Sequence, residues 1–100
     1  MADQASISAE ILARYAADAA LEVDGVQGLA DSPLPLRHAV RVADADGAVR
    51  VELHLVTEWG ASIPATGSLV QKRVREYLRS MADVEPAVVD VVVDSVGPAE

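Results

Sequence analysis

The sequence predicts a two-layer α+β sandwich in which two helices cover one face of a three-stranded mixed sheet. Apolar residues recur at helical spacing over residues 7–23 and again over residues 63–81. Between them, residues 40–59 alternate apolar and polar side chains with the period of two that a half-buried strand requires. Residues 88–94 then form a valine-rich run that suits a strand. The predicted element order is therefore α-β-β-α-β.

The composition is that of a single globular domain, which we expect to span residues 1–100 with an ordered core from about 7 to 96. Hydrophobic residues make up 51% of the chain and charged residues 24%, which excludes a disordered chain. The chain has no cysteine, so disulfides and thiolate metal sites are excluded. Neither a secretory signal nor an apolar run of membrane-spanning length occurs, so we expect a cytoplasmic protein that does not insert directly into a membrane.

The first helix has clear boundary signals. Ser8 can cap its N-terminus, Glu10 places a negative charge in the first turn, and Gly25 can take the left-handed conformation that ends it. A turn with two apolar anchors is predicted at residues 26–29, and a loop at residues 30–35, where two prolines exclude helix and central strand. The residues predicted to face the core are Ile7, Ile11, Leu12, Tyr15, Ala19 and Val23.

Two strands and a hairpin follow. Asp46-Gly47 is a strong hairpin signal between a strand that contains Val40 and Val42 and a longer strand that begins near Val49. The alternation of the longer strand predicts a covered face and a wet face. The covered face comprises Val49, Val51, Leu53, Leu55, Thr57 and Trp59, and the wet face Arg50, Glu52, His54, Val56 and Glu58.

The second helix is predicted to begin at Ser62, which can act as its cap, with Pro64 tolerated in the first turn. Gly67 lies inside this helix and costs about 1 kcal/mol relative to alanine, so we expect a close packing contact there. The apolar stripe comprises Ile63, Thr66, Leu69, Val70, Val74, Tyr77, Leu78 and Met81.

Residues that could carry chemistry are few. No nucleophile elbow and no glycine-rich phosphate loop occurs, so we predict neither an enzyme nor a cofactor. His38 precedes the first strand, and a row of Glu52, His54 and Glu58 on the wet face has the ligand types of a divalent metal site. Ordinary polar residues on a solvent-exposed strand face explain the same row with fewer assumptions. We therefore predict no metal site.

A basic cluster on the second helix is the first candidate for partner binding. Lys72, Arg75 and Arg79 fall on one helix face, in a chain whose net charge is −8. They are suited to an acidic protein partner, a lipid headgroup or RNA, but the overall charge disfavours nucleic acid. The alternative is that these cations complement the helix dipole and solvate an exposed face.

Three apolar residues are further candidates. Trp59 shares the parity of the core-facing residues, which predicts burial at the end of the sheet; if exposed, it would be an interface anchor. Val56 and Val92 fall by parity on the open face of the sheet, where an apolar patch invites a partner or a second copy of the chain. Pairing through a strand edge is another route to a homo-oligomer.

Residues 20–29, ALEVDGVQGL, contain the pattern "A-x-E-V-x-G-V-x-G", and residues 51–64, VELHLVTEWGASIP, form an alternating strand that runs into a segment similar to "E-Y-G-x-S-I-P". Both segments resemble signatures of the alkaline shock (envelope stress response) protein family. Trp59 replaces the more usual tyrosine, and Ala65 a common acidic residue.

The resemblance covers the chain from about Ile7 to Val96 and implies a minimal, single-domain member of that family. It implies a non-enzymatic scaffold or adaptor of the bacterial cell envelope stress response. Its partners would be proteins, and a membrane-anchored partner would hold it at the membrane periphery. The alternative function is a small RNA-binding module that uses the basic second helix.

Overall fold

Six secondary-structure elements make up the computed structural model, which describes residues 8–30 and 39–97. The predicted α+β class with two helices is confirmed, but the sheet has four strands rather than three. The additional strand is the segment predicted as a turn at residues 26–29. The elements are α1 (Ala9–Leu21), β1 (Val26–Leu29), β2 (Val40–Ala45), β3 (Ala48–Thr57), α2 (Ile63–Ala82) and β4 (Val88–Val96).

Two sequence predictions fall largely outside the described residues. The predicted loop over residues 30–35 is described only at Ala30, and His38 is not described. Ile7, predicted to face the core from the first helix, is also outside them.

The long strand β3 is the centre of the sheet. The strands β1 and β2 pair with it in antiparallel orientation, and β4 pairs with it in parallel orientation. Val26 of β1 lies opposite Thr57, and Val40 of β2 lies opposite Leu53, so β1 and β2 occupy successive halves of the same edge. The connection from β3 through α2 to β4 is the predicted β-α-β unit.

The main chain of His54 lies at the junction between β1 and β2. The amide of Ala30 donates a hydrogen bond to the His54 carbonyl at 2.8 Å, and the His54 amide donates to the Ala39 carbonyl at 2.8 Å. One residue of β3 thus bonds to both sides of the junction. It follows that β1 and β2 act as one edge strand interrupted by residues 31–38.

The turn chemistry predicted between β2 and β3 is present. Asp46 and Gly47 have φ angles of 55° and 78°, as a two-residue type I′ hairpin requires. Both predicted helix caps also form. The Ser8 hydroxyl accepts a hydrogen bond from the Ile11 amide at 3.2 Å. The Ser62 hydroxyl accepts one from the Ala65 amide at 3.3 Å.

Gly25 shapes the connection from α1 to β1. Its φ of 99° is the left-handed conformation expected, although α1 ends earlier, at Leu21. A Cβ atom at Gly25 would lie 2.7 Å from the Thr66 hydroxyl oxygen, so a side chain there would collide with α2. The close contact predicted for Gly67 is wrong, since nothing lies within 4 Å of a Cβ built there.

The core lies between the helices and one face of the sheet. Tyr15 of α1 meets Tyr77 of α2 edge-to-face, with ring centroids 6.0 Å apart. The buried apolar residues are Leu12, Ala16, Ala19, Ala20, Val26, Val51, Leu53, Leu55, Val70, Val74, Leu78 and Val89.

Four residues expected to face the core are exposed instead. Ile11 in α1 and Ile63, Leu69 and Met81 in α2 are exposed over 43–51% of their surface. The buried residues of each helix form a narrower stripe than predicted, and these four longer side chains lie at its margins.

Replacing Leu53 with alanine should lower the free energy of unfolding by about 2–5 kcal/mol, because Leu53 is fully buried at the centre of the sheet. Chemical denaturation followed by circular dichroism would measure the change. Leu69→Ala is the matched control and should cost about 0.5 kcal/mol or less, because Leu69 is exposed. Equal losses in the two variants would contradict this account of the core.

Candidate interaction surfaces

The open face of the sheet presents a row of charged residues around His54. The faces of β3 divide as predicted: Val51, Leu53 and Leu55 are buried, whereas Glu52 and His54 lie on the side away from the helices. The His54 side chain is 26% exposed to solvent, so its neighbours partly cover it.

His54 is held between two carboxylates. Its Nε2 lies 2.6 Å from an oxygen of Glu52, and its Nδ1 lies 3.0 Å from an oxygen of Asp94. An ionised carboxylate only accepts hydrogen bonds, so both contacts form together only when the imidazole is protonated and donates from both nitrogens. These two hydrogen bonds raise the pKa of His54 above its ordinary value of 6.5, and the bond to Glu52 has the larger effect. The bond from His54 in turn lowers the pKa of Glu52 below 4.5.

Asp94 replaces Glu58 in this cluster. Glu58 follows the end of β3 and is not a partner of His54, so the predicted row of Glu52, His54 and Glu58 does not form. Asp94 lies on the same face of the sheet as His54, at the point where the register between β3 and β4 shifts by one residue beside Leu55. Within residues 8–30 and 39–97, no group of three or more histidine, aspartate or glutamate side chains is arranged to hold a metal ion.

Val56 and Val92 lie on the open face, as predicted from strand parity. Val92 is the register partner of His54 and is 39% exposed. Val56 is half-buried beside the strand irregularity. The open face is therefore mostly charged, with one exposed valine among side chains of both signs.

The predicted basic cluster does share one face of α2. Lys72, Arg75 and Arg79 line a shallow cavity of about 410 Å³, together with Ser68, Gln71 and Glu76. The Arg75 guanidinium donates a hydrogen bond to the Pro86 carbonyl at 2.9 Å. Arg79 donates two hydrogen bonds to Glu85, at 2.9 and 3.0 Å, and lowers the pKa of that carboxyl.

Much of the positive charge on α2 is thus matched within the chain. Arg73, outside the predicted cluster, bonds to Glu22 at 2.7 Å and lies 5.3 Å from the ring centroid of Tyr77. In the part of the chain that the structure describes, Lys72 is the cation of the cluster without an ion pair or hydrogen bond.

Trp59 lies in the turn that follows β3. The prediction of burial is wrong: Trp59 is 68% exposed. β3 ends at Thr57, and the turn is closed by a hydrogen bond from the Ala61 amide to the Glu58 carbonyl at 3.1 Å, with Gly60 at a φ of 89°. The alternation of a strand does not continue through such a turn, so the parity of Trp59 no longer directs it to the core.

The Glu52–His54–Asp94 cluster should make stability depend on pH. The raised pKa of His54 stabilises the fold fully below about pH 6.5, and this contribution is lost as pH rises through the folded pKa. The lowered pKa of Glu52 stabilises the fold above about pH 4.5, and this contribution is lost as pH falls. His54→Gln should therefore lower the melting temperature most near pH 5.5 and least near pH 9. An equal loss at both pH values would mean that His54 acts through packing alone.

Comparison with known proteins identifies the family. The model of the alkaline shock protein 23 family, described as having a cell envelope-related function, matches residues 1–98. A search of curated proteins finds no match. Among the described residues, none of the helices combines the length and the apolar character needed to cross a membrane.

Solved structures share the fold at low sequence identity. A histidine-to-alanine variant of MamM-CTD aligns with a TM-score of 0.59 and 11% identity, over 88% of this chain and 98% of that one. A second such variant aligns with a TM-score of 0.57 and 12% identity, over 86% and 95%. At this identity the likeness concerns the fold alone. The family match spans nearly the whole sequence, and the chain therefore belongs to the alkaline shock protein 23 family.

Proposed function

We propose that this chain is a non-enzymatic adaptor with a cell envelope-related role, which binds a protein partner through the turn that carries Trp59. Family membership supports the cell envelope-related role. The observation that carries the adaptor proposal is the 68% exposure of Trp59 in a well-defined turn. We further propose that the partner is membrane-anchored and holds this cytoplasmic chain at the membrane periphery.

The backbone of the turn that carries Trp59 is fixed by hydrogen bonds, which favours binding through this side chain. The hydrogen bond between Ala61 and Glu58, together with the cap formed by Ser62, holds the backbone on both sides of the side chain. A side chain on such a fixed backbone loses little conformational entropy on binding, and tryptophan is among the residues most enriched at binding hot spots. Ile63, at the start of α2, is 43% exposed and adds apolar surface close by in the sequence.

The RNA-binding alternative has less support. Arg75 and Arg79 bond to Pro86 and Glu85, so a phosphate backbone would have to compete with contacts already made. The net charge of −8 opposes nucleic acid over the whole surface. Retention on RNA that falls steeply with salt would favour this alternative over the adaptor.

Trp59→Ala should weaken partner binding while leaving the fold intact. In-cell crosslinking of the tagged chain, with membrane and soluble fractions analysed separately, would identify the partner from the wild type. Binding of the purified partner should then weaken roughly thirtyfold or more, since a tryptophan hot spot contributes about 2 kcal/mol or more.

Met81→Ala is the matched control, because Met81 is 49% exposed and lies at the other end of α2. At 1.5 Å per residue it is about 27 Å from Ile63 along the helix axis. Its partner binding should equal that of the wild type. Unchanged crosslinking in the Trp59 variant, or recovery of ribosomal and RNA-bound material only, would contradict the proposal.

A further inference from the structure

β4 is held to the rest of the fold differently at its two ends. Its first part, residues 88–93, follows a regular parallel register with residues 50–55 of β3. The Gln71 side chain of α2 donates a hydrogen bond to the carbonyl of Val89, which is buried, at 2.9 Å. Arg75 donates to the Pro86 carbonyl, just before the strand, at 2.9 Å. The first part of β4 is therefore fixed by both β3 and α2.

The end of β4, residues 94–96, has fewer attachments. Asp94 lies at the irregularity and has no register partner on β3. Two more register pairs follow it, and the Gly97 amide donates a hydrogen bond to the Thr57 carbonyl at 2.7 Å. Residues 94–96 are all exposed. A short exposed strand end beyond an irregularity is a segment that can open while the rest of the fold stays closed.

His54 provides a side-chain attachment for this end. Its Nδ1 lies 3.0 Å from Asp94 on β4, whereas its Nε2 lies 2.6 Å from Glu52 on its own strand. Only the contact with Asp94 therefore joins the two strands. Ionised carboxylates only accept hydrogen bonds, and a neutral imidazole has one N–H group instead of two. When His54 loses its proton, one of the two carboxylates must face a nitrogen lone pair.

Charged side chains share the open face with His54 on three strands. They are Arg41 on β2, Arg50 and Glu52 on β3, and Asp90 and Asp94 on β4. The residues of β1 carry no titratable side chain, and the helices pack against the other face of the sheet. Among the residues that the structure describes, Asp94 forms one ion pair, which is the pair with His54.

The bond to Glu52 is the one that should survive loss of the proton. It is the shorter of the two, at 2.6 Å against 3.0 Å. Arg41 lies opposite Glu52 in the register between β2 and β3. The hydrogen bond from His54, and to a smaller extent the charge of Arg41, lower the pKa of Glu52. Glu52 therefore remains an ionised acceptor for the Nε2 proton, and Nδ1 turns its lone pair towards Asp94.

We propose that His54 and Asp94 form a pH-sensitive switch that controls the end of β4. While the imidazole is protonated, it joins Asp94 to β3 and residues 94–96 stay paired. When the imidazole loses its proton, the Nδ1 lone pair repels the Asp94 carboxylate, and this end of the strand opens while residues 88–93 stay in place.

The direction of the switch follows from the raised pKa of His54. The contact contributes at low pH and is lost as pH rises through the pKa of the folded state. This inference goes beyond the adaptor proposal, since it holds whether or not the Trp59 turn binds a partner.

Nitrogen-15 NMR of the His54 imidazole in the full chain tests which bond survives. The spectra are compared at about pH 5.5 and about pH 9, on either side of the ordinary histidine pKa. Both ring nitrogens should carry protons at the lower pH, and only Nε2 at the higher pH. A proton kept on Nδ1 at the higher pH would overturn the proposal, because Asp94 would then keep its donor.

Carbon-13 saturation-transfer NMR measures how often the end of the strand is open. The open population of residues 94–96 should rise about three- to tenfold from the lower to the higher pH. A hydrogen bond to a charged group is stronger than a neutral one, but these side chains lie partly in solvent, which limits the effect. An equal open population at both pH values, or opening of residues 88–93 together with the end, would contradict the switch.

Asp94→Asn separates the switch from a general effect of pH. The asparagine oxygen can accept from a protonated Nδ1, and its NH₂ group can donate to a neutral one, so the contact no longer depends on the proton. The end of β4 should then stay closed at both pH values. His54→Gln has no group that titrates at this position and should give the same open population at both pH values.

Asp90→Asn is the matched control, because Asp90 is an exposed aspartate on the same strand that is not one of the two carboxylates beside His54. It should keep the pH response of the wild type. Both asparagine substitutions preserve the size of the side chain, and a thermal melt of each variant would verify its fold. A wild-type response in the Asp94 variant, or a lost response in the Asp90 variant, would assign the effect to overall charge and overturn the proposal.

Discussion

β3 is paired along both of its edges, and this pairing fixes the positions of the other strands. One edge bonds to the interrupted strand formed by β1 and β2, and the other bonds to β4. Its alternate residues Val51, Leu53 and Leu55 are buried beneath the helices. Because a strand has a period of two, burying these residues necessarily places Glu52 and His54 on the opposite face. The buried residues of β3 and its residues in the charged cluster therefore lie on opposite faces of the same strand.

The irregularity between β3 and β4 connects this constraint to the charged cluster. The register partner changes from Val93 at Leu55 to Ser95 at Val56, so Asp94 has no register partner on β3. Asp94 lies 3.0 Å from His54 across the two strands. The side chains of Asp94 and His54 thus join β4 to the central strand beside the irregularity.

The arginines in the second half of α2 are bonded within the chain. Arg73, Arg75 and Arg79 each bond to a group in another part of the chain. A surface rich in charge is for that reason not in itself a surface prepared for a charged partner. The feature left for the proposed protein contact is of a different kind: an exposed tryptophan on a fixed turn. The family match itself supports a cell envelope-related function.

Elements with local signals could be predicted from the amino-acid sequence. The caps at Ser8 and Ser62, the hairpin at Asp46-Gly47 and the faces of β3 follow from interactions within a few residues, so they could be read directly. The predicted position of Lys72, Arg75 and Arg79 on one helix face was also correct for that reason.

Features that depend on contacts between distant segments could not be predicted in the same way. The four residues of β1 carry little strand signal, and they form a strand because β3 offers a free edge beside them. The contact between His54 and Asp94 depends on register between segments 40 residues apart. The exposure of Trp59 depends on where β3 ends, and the hydrogen bonds of Arg75 and Arg79 depend on how the chain returns after α2. The periodicity of the sequence specifies which residues share one face of a helix or strand. The packing of the elements specifies which of these faces come into contact.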